Sequence, residues 1–238
     1  MLLSGCDAFM GGQDNPFITS TEAATSAATA TPTPTTTCSN FPFESVFSAY
    51  GTVHYTQMLS DNLTLDVDMW TEQKTHEWYA DTDKTLKFVI NVQDTADGLT
   101  LDSPFTDRRA VYMSKLVLKG DTMTATGATE EPLNETLDPR DETLDPEALH
   151  KGNGLLITSP KGGFQRKTDT TIGQLAADTI GINMNFTLSL KVQHKQNSKT
   201  YDATTVNVTL PIAIFDEATK DDSTSCATNA TLAPVPQS

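Results

Sequence analysis

Ile182-Asn183-Met184-Asn185-Phe186-Thr187-Leu188-Ser189-Leu190-Lys191-Val192-Gln193 alternates apolar and polar side chains without a break. A period of two sends every apolar side chain to one face of an extended chain, which predicts a long, half-buried strand. Val206, Val208, Leu210, Ile212 and Ile214 resume the rhythm beyond a polar turn at Lys195–Lys199, as a partner strand would. Pro211 lies on the opposite face from that stripe and has no amide to donate, so the partner belongs at a sheet edge or a bulge.

The same pattern recurs toward the N-terminus. Leu63, Leu65, Val67 and Met69 alternate with Thr64, Asp66, Asp68 and Trp70, and Leu86, Phe88, Ile90 and Val92 with Lys87, Val89 and Asn91. Val53, Tyr55 and Gln57 give an earlier strand, and Thr75–Asp81 reads as another, carrying Trp78 and Tyr79. Polar turns at Ser60-Asp61-Asn62, Glu72-Gln73-Lys74 and Asp83-Lys84 join these runs into a meander. Ala110–Leu118 and Thr122–Thr126 are expected to form a hairpin about Lys119-Gly120-Asp121. A short helix or turn is expected within Phe41–Tyr50, ended by Gly51, and a short helix within Thr170–Asp178. Gly154–Thr158 reads as a short strand and Lys161–Arg166 as a basic loop.

Glu130–His150 is acidic and contains a tandem repeat, Glu135-Thr136-Leu137-Asp138-Pro139 and Glu142-Thr143-Leu144-Asp145-Pro146. Two copies are too few for a solenoid, and the segment reads as a long loop with a helical turn near Glu147. Seven to nine strands with few helices predict a mainly β fold, an antiparallel β-sandwich or a flattened barrel.

A net charge of −15 and a pI near 4.4 argue against nucleic acid as a partner, because that binding rests on Lys and Arg neutralising phosphates. No apolar run reaches the roughly 20 residues that cross a bilayer as a helix. Any membrane contact must then come through a lipid.

Such a lipid has a candidate site. Leu2-Leu3-Ser4-Gly5-Cys6 resembles the lipobox of bacterial lipoproteins, and Ile18–Thr37 behind it is almost wholly Thr, Ser, Ala and Pro, a composition that builds no core. The resemblance implies cleavage before Cys6, which then carries the lipid as the new N-terminus. Residues 1–5 become a signal-peptide remnant and 6–37 a disordered, lipid-anchored tether. Residues 38–226 form the β-domain and 227–238 a disordered tail. The implied location is extracytoplasmic and membrane-anchored, in the periplasm or on the cell surface. In enterobacterial members of that class an Asp at the place of Asp7 signals retention at the inner membrane. With Cys6 set aside, Cys38 and Cys226 remain as an even pair that brackets the strands. A disulfide between them would close about 189 residues, worth on the order of 5 kcal/mol in the chain-entropy model.

Catalytic and metal patterns are weak. His54, His76, His150 and His194 fall at no ligand spacing with one another or with cysteine, so no metal site and no cofactor is expected. His76-Glu77 has Ala80 where a metalloprotease helix has its second histidine, and no Gly-X-Ser-X-Gly elbow or phosphate loop occurs. A concealed hydrolase would have to unite His54 or His76 with Asp66 or Asp68. The acids of Asp94–Gly98 and of residues 130–147 suit Ca²⁺ chemically without fitting the twelve-residue loop.

Trp70, on the polar face of its strand beside Asp66 and Asp68, is the strongest binding candidate, with Trp78 and Tyr79 as companions. Five Asn-X-Thr triplets, at Asn62, Asn134, Asn185, Asn207 and Asn229, match the glycosylation acceptor motif, and in so threonine-rich a chain they read as chance matches unless the source is an archaeon or a eukaryote. The leading expectation is a lipid-tethered, non-enzymatic envelope or cell-surface protein that binds an envelope protein or glycan, or serves a structural role. A small-ligand, carbohydrate or lipid-binding module and a hydrolase are the alternatives.

Overall fold

The computed structural model describes residues 43–216 apart from 49, 97 and 101. Two antiparallel sheets face each other. The first is a meander of β1 (Thr52–Ser60), β2 (Leu63–Trp70) and β3 (Lys84–Asp94), with β8 (Phe164–Gln165) and β9 (Thr170–Ile172) both paired to the far side of β3. The second runs β11 (Tyr201–Ala213), β10 (Thr179–Gln193), β4 (Val111–Thr124), β7 (Gly154–Leu156) and β6 (His150–Lys151), with β5 (Leu133–Leu137) also on β4. Each sheet keeps its own edges, so the architecture is a sandwich and the flattened-barrel alternative is set aside.

Alternation dictates the core. Leu63, Leu65, Val67 and Met69 of β2 and Leu86, Phe88, Ile90 and Val92 of β3 are buried, and so are Ile182, Met184, Phe186 and Leu188 of β10. The Phe88 and Phe186 rings meet edge to face across the two layers at 5.2 Å. Each such side chain stabilises the fold by roughly 1.5–3 kcal/mol relative to exposure. Pro211 sits on the edge strand β11 with its backbone turned outward, where its carbonyl accepts the Val46 amide at 2.8 Å.

Several local expectations are corrected. No helix forms over residues 43–48; Phe43, Val46 and Phe47 are buried because this segment straps the end of β11, and Phe47 meets Trp78 edge to face at 5.1 Å. Thr75–Asp81 is not a strand. It holds a 3-10 turn over Thr75–Glu77 and a single bridge from Tyr79 to Phe215, since Trp78 leaves the sheet to enter the core.

β4 runs straight through Lys119-Gly120-Asp121. Gly120 serves close packing there, because a Cβ would lie 2.9 Å from Ile182 Cδ1. The acidic segment contributes β5 and a one-turn helix, α1 (Pro139–Glu142), and Thr170–Asp178 supplies β9 where a helix was expected.

Both ends of the described chain reach the same end of the sandwich. A Cβ on Gly181 would lie 2.3 Å from the Phe43 ring; Gly181 pairs with Ala213, and Ile214 donates to the Ile180 carbonyl at 3.1 Å.

Candidate functional site

The outward face of the first sheet carries the densest array of chemically capable side chains. The hairpin register sets Thr52 opposite Trp70, His54 opposite Asp68 and Thr56 opposite Asp66, and β2 in turn sets Trp70 opposite Lys87 and Asp66 opposite Asn91. Directly opposed side chains on one face stand within reach of each other. The His54 Nδ1 lies 2.6 Å from Asp68 Oδ1, its Nε2 lies 3.0 Å from Thr56 Oγ1, and Thr56 Oγ1 donates to Asp66 Oδ1 at 3.1 Å. On β3 the ladder continues with Gln93 Nε2 donating to Asn91 Oδ1 at 3.1 Å.

Burial pushes the Asp66 carboxyl above its ordinary value, and Asp68 adds to this, against the Thr56 hydrogen bond and His54, which pull it down. The order carboxylate, imidazole, hydroxyl is that of a nucleophilic relay, but the Thr56 proton is directed at Asp66 and not at His54. It stands in open water, with the His54 and Asp68 side chains 58% and 42% exposed. Acyl transfer further requires an oxyanion pocket and exclusion of water, neither of which a solvated sheet face supplies. As built, the network holds edge strand β1 to β2 and presents hydrogen-bonding groups outward.

Trp70 closes one end of this face. It is half-buried in a shallow recess shared with Glu72, Thr85, Lys87 and Asp169, and Lys87 pairs with Glu72 at 2.8 Å and Asp169 at 3.8 Å. Trp78 is fully buried and offers no surface to a ligand. Tyr79 is half-buried and lines a different feature, an open groove of ≈ 450 Å³ bounded by Asp81, Ala177 and Phe215. The three aromatics therefore do not form one site.

The tandem repeat has a structural role that was not read from the sequence. Glu135 of the first copy lies 2.7 Å from Arg166 Nη1 and Glu142 of the second lies 4.0 Å from Arg166 Nε, so both converge on one guanidinium that is 11% exposed. Asp138 and Asp145 act alike too, each accepting from the amide two residues on, at 3.0 Å and 2.8 Å. The seven-residue period was the available signal, together with the basic loop of opposite charge.

Beside the second copy an open groove of ≈ 380 Å³ runs between Thr143–Leu149 and Pro160–Gln165, with Leu144 and Leu149 exposed at its rim. Among the described residues no group of three or more His, Cys, Asp or Glu is placed to hold a metal ion. Cys6, Cys38, Cys226 and Asn229 lie outside the described residues.

No protein-family model, no curated protein and no solved structure matches this chain.

Proposed function

We propose that the chain is a lipid-tethered, extracytoplasmic β-sandwich with a non-enzymatic role, and that it binds a glycan of the cell envelope across the outward face of β1, β2 and β3. The observation that carries this reading is Trp70 at the end of a ladder of outward-facing hydrogen-bonding side chains, the exposed His54 and Thr56 and the half-buried Asp66, Asp68, Asn91 and Gln93. An aromatic face stacks on the apolar face of a sugar ring while neighbouring polar groups take its hydroxyls. The anchor rests on Cys6 and the Thr/Pro-rich tether behind it. The exit of both chain ends at one end of the sandwich supports a Cys38–Cys226 disulfide, since Cys38 precedes Phe43 by five residues and Cys226 follows Asp216 by ten.

Titration with soluble cell-envelope polysaccharide tests the binding reading by fluorescence. Only two tryptophans are present, and Trp78 is fully buried, so a saturable change in acrylamide quenching reports Trp70. Trp70→Ala is expected to abolish the change and the retention on immobilised polysaccharide while the far-ultraviolet circular dichroism stays native. Equal retention of wild type and Trp70→Ala would remove this face from the proposal.

A hydrolase is the second reading, and the Asp68–His54–Thr56 relay is the one observation in its favour. A fluorophosphonate adduct mapped to Thr56, lost in His54→Ala, would install it in place of the first.

A further inference from the structure

We propose that Asn62, Asn134 and Asn207 are acceptor sites for N-linked glycans, an inference that rests on the extracytoplasmic location proposed above. Of the eleven asparagines five precede X-Thr, where the threonine content alone yields about two. Three of the triplets stand in register on the outward face of the second sheet. Asn134 and Asn185 both oppose Lys119, and Asn185 opposes Thr209; Thr136 and Thr187 both oppose Val117, and Thr187 opposes Asn207. The middle residues Phe186 and Val208 turn into the core, so acceptor and hydroxyl residues of each triplet share the solvent side.

Accessibility separates the four described acceptor asparagines. Asn62 is exposed at the tip of the β1–β2 hairpin, with φ of 58°. Asn207 is exposed on β11; its Oδ1 accepts from Thr187 Oγ1 at 2.9 Å, and its Nδ2 makes no hydrogen bond among the described residues. Asn134 is exposed, and its Nδ2 donates only to the surface carboxylate of Glu131, which also pairs with Lys119 at 2.9 Å. Asn185 differs. It is half-buried, its Nδ2 donates to Asp121 Oδ2 at 2.7 Å, and its Oδ1 accepts from Thr209 Oγ1 at 2.7 Å.

The chemistry needs a polyprenyl-phosphate-linked or polyprenyl-pyrophosphate-linked oligosaccharide as donor. The amide nitrogen attacks the anomeric carbon and the new C–N bond replaces the C–O bond to phosphate. The lipid phosphate leaves with that electron pair, and one amide proton passes to solvent.

The Asn207 glycan has a physical consequence. β11 is an edge strand with no charged residue from Ala203 to Ala213; its open side receives the Val46 amide at Pro211, and the Tyr79 bridge follows beyond it at Phe215. Uncharged open edges template pairing with other chains, and a bulky, solvated glycan beside Thr205 and Thr209 blocks that approach.

The test is the intact mass and peptide map of the full chain isolated from its source organism, with protease accessibility on intact cells and on spheroplasts measured in parallel. Expected are glycopeptides at Asn62, Asn134 and Asn207 and an unmodified Asn185. Thr64→Ala, Thr136→Ala and Thr209→Ala should each remove one glycan's mass, and Thr209→Ser should retain it. A protease-accessible chain at the mass of the unglycosylated polypeptide, or occupancy at Asn185 with the other three empty, overturns the inference and leaves the location standing. A chain shielded from protease on the cytosolic side overturns the location, and this inference with it.

Discussion

Lys84 is a charged side chain that the fold takes out of water. It is fully buried at the start of β3, where its Nζ donates to the Thr82 carbonyl at 2.5 Å. Burial pulls its ammonium down to about 8, against the upward pull of Asp83 and Asp81. A base whose folded-state pKa is depressed binds fewer protons folded than unfolded between those two values. Stability therefore rises with pH from about 8 toward the ordinary lysine range, and below that window the full penalty of roughly 3 kcal/mol is present. Lys84→Met keeps the length and removes the charge, at the cost of one hydrogen bond. Urea denaturation at pH 7 is expected to find the variant about 1–2 kcal/mol more stable than wild type. That gain should shrink as the pH is raised past 8. A variant less stable at pH 7 would mean that the local carboxylates outweigh desolvation.

At the scale of elements, the crossing from β7 to β8 stitches the two sheets together through Thr158. Its residue bridges Val92 of β3, while its fully buried hydroxyl accepts from the Val111 amide at 2.8 Å and donates to the Arg109 carbonyl at 3.0 Å, at the start of β4. Thr158→Val fills the same volume and leaves that amide and carbonyl unpaired, so thermal unfolding should report a loss of about 1–3 kcal/mol, with Thr158→Ser losing less. Nothing in the sequence marks this threonine among so many. What alternation did make legible were the long strands with one dry face, β2, β3, β10 and β11, because a one-residue slip would expose every apolar side chain. Where tertiary contacts override local preference, the local pattern points elsewhere. Gly120 looks like a turn residue and is a packing residue under Ile182; Leu133–Leu137 lies in an acidic stretch yet pairs with β4; Trp78 has strand propensity and is drawn out of the sheet by Phe47. The candidate face was half visible. Periodicity turns Trp70, Asp66 and Asp68 outward, but the hairpin register that brings His54 and Thr56 to them is a non-local property.

At the scale of the whole molecule, the three cysteines turn address and closure into one measurement. A chain lipidated on the sulfur of Cys6 and closed between Cys38 and Cys226 has no free thiol. Both ends of the described sandwich emerge beside Gly181 and Ala213, so closure there would not require the strands to move. Cross-linking so far apart in sequence restricts the unfolded chain most, by on the order of 5 kcal/mol, and reduction should lower the melting temperature by roughly 10 °C for a domain of this size. Thiol titration of the native-source protein, denatured without reductant, is expected to read zero per chain. One thiol would mean the disulfide without the lipid, two the lipid without the disulfide, and three neither. The last result would sever the tether from the membrane and leave the sandwich to be explained by its outward faces alone.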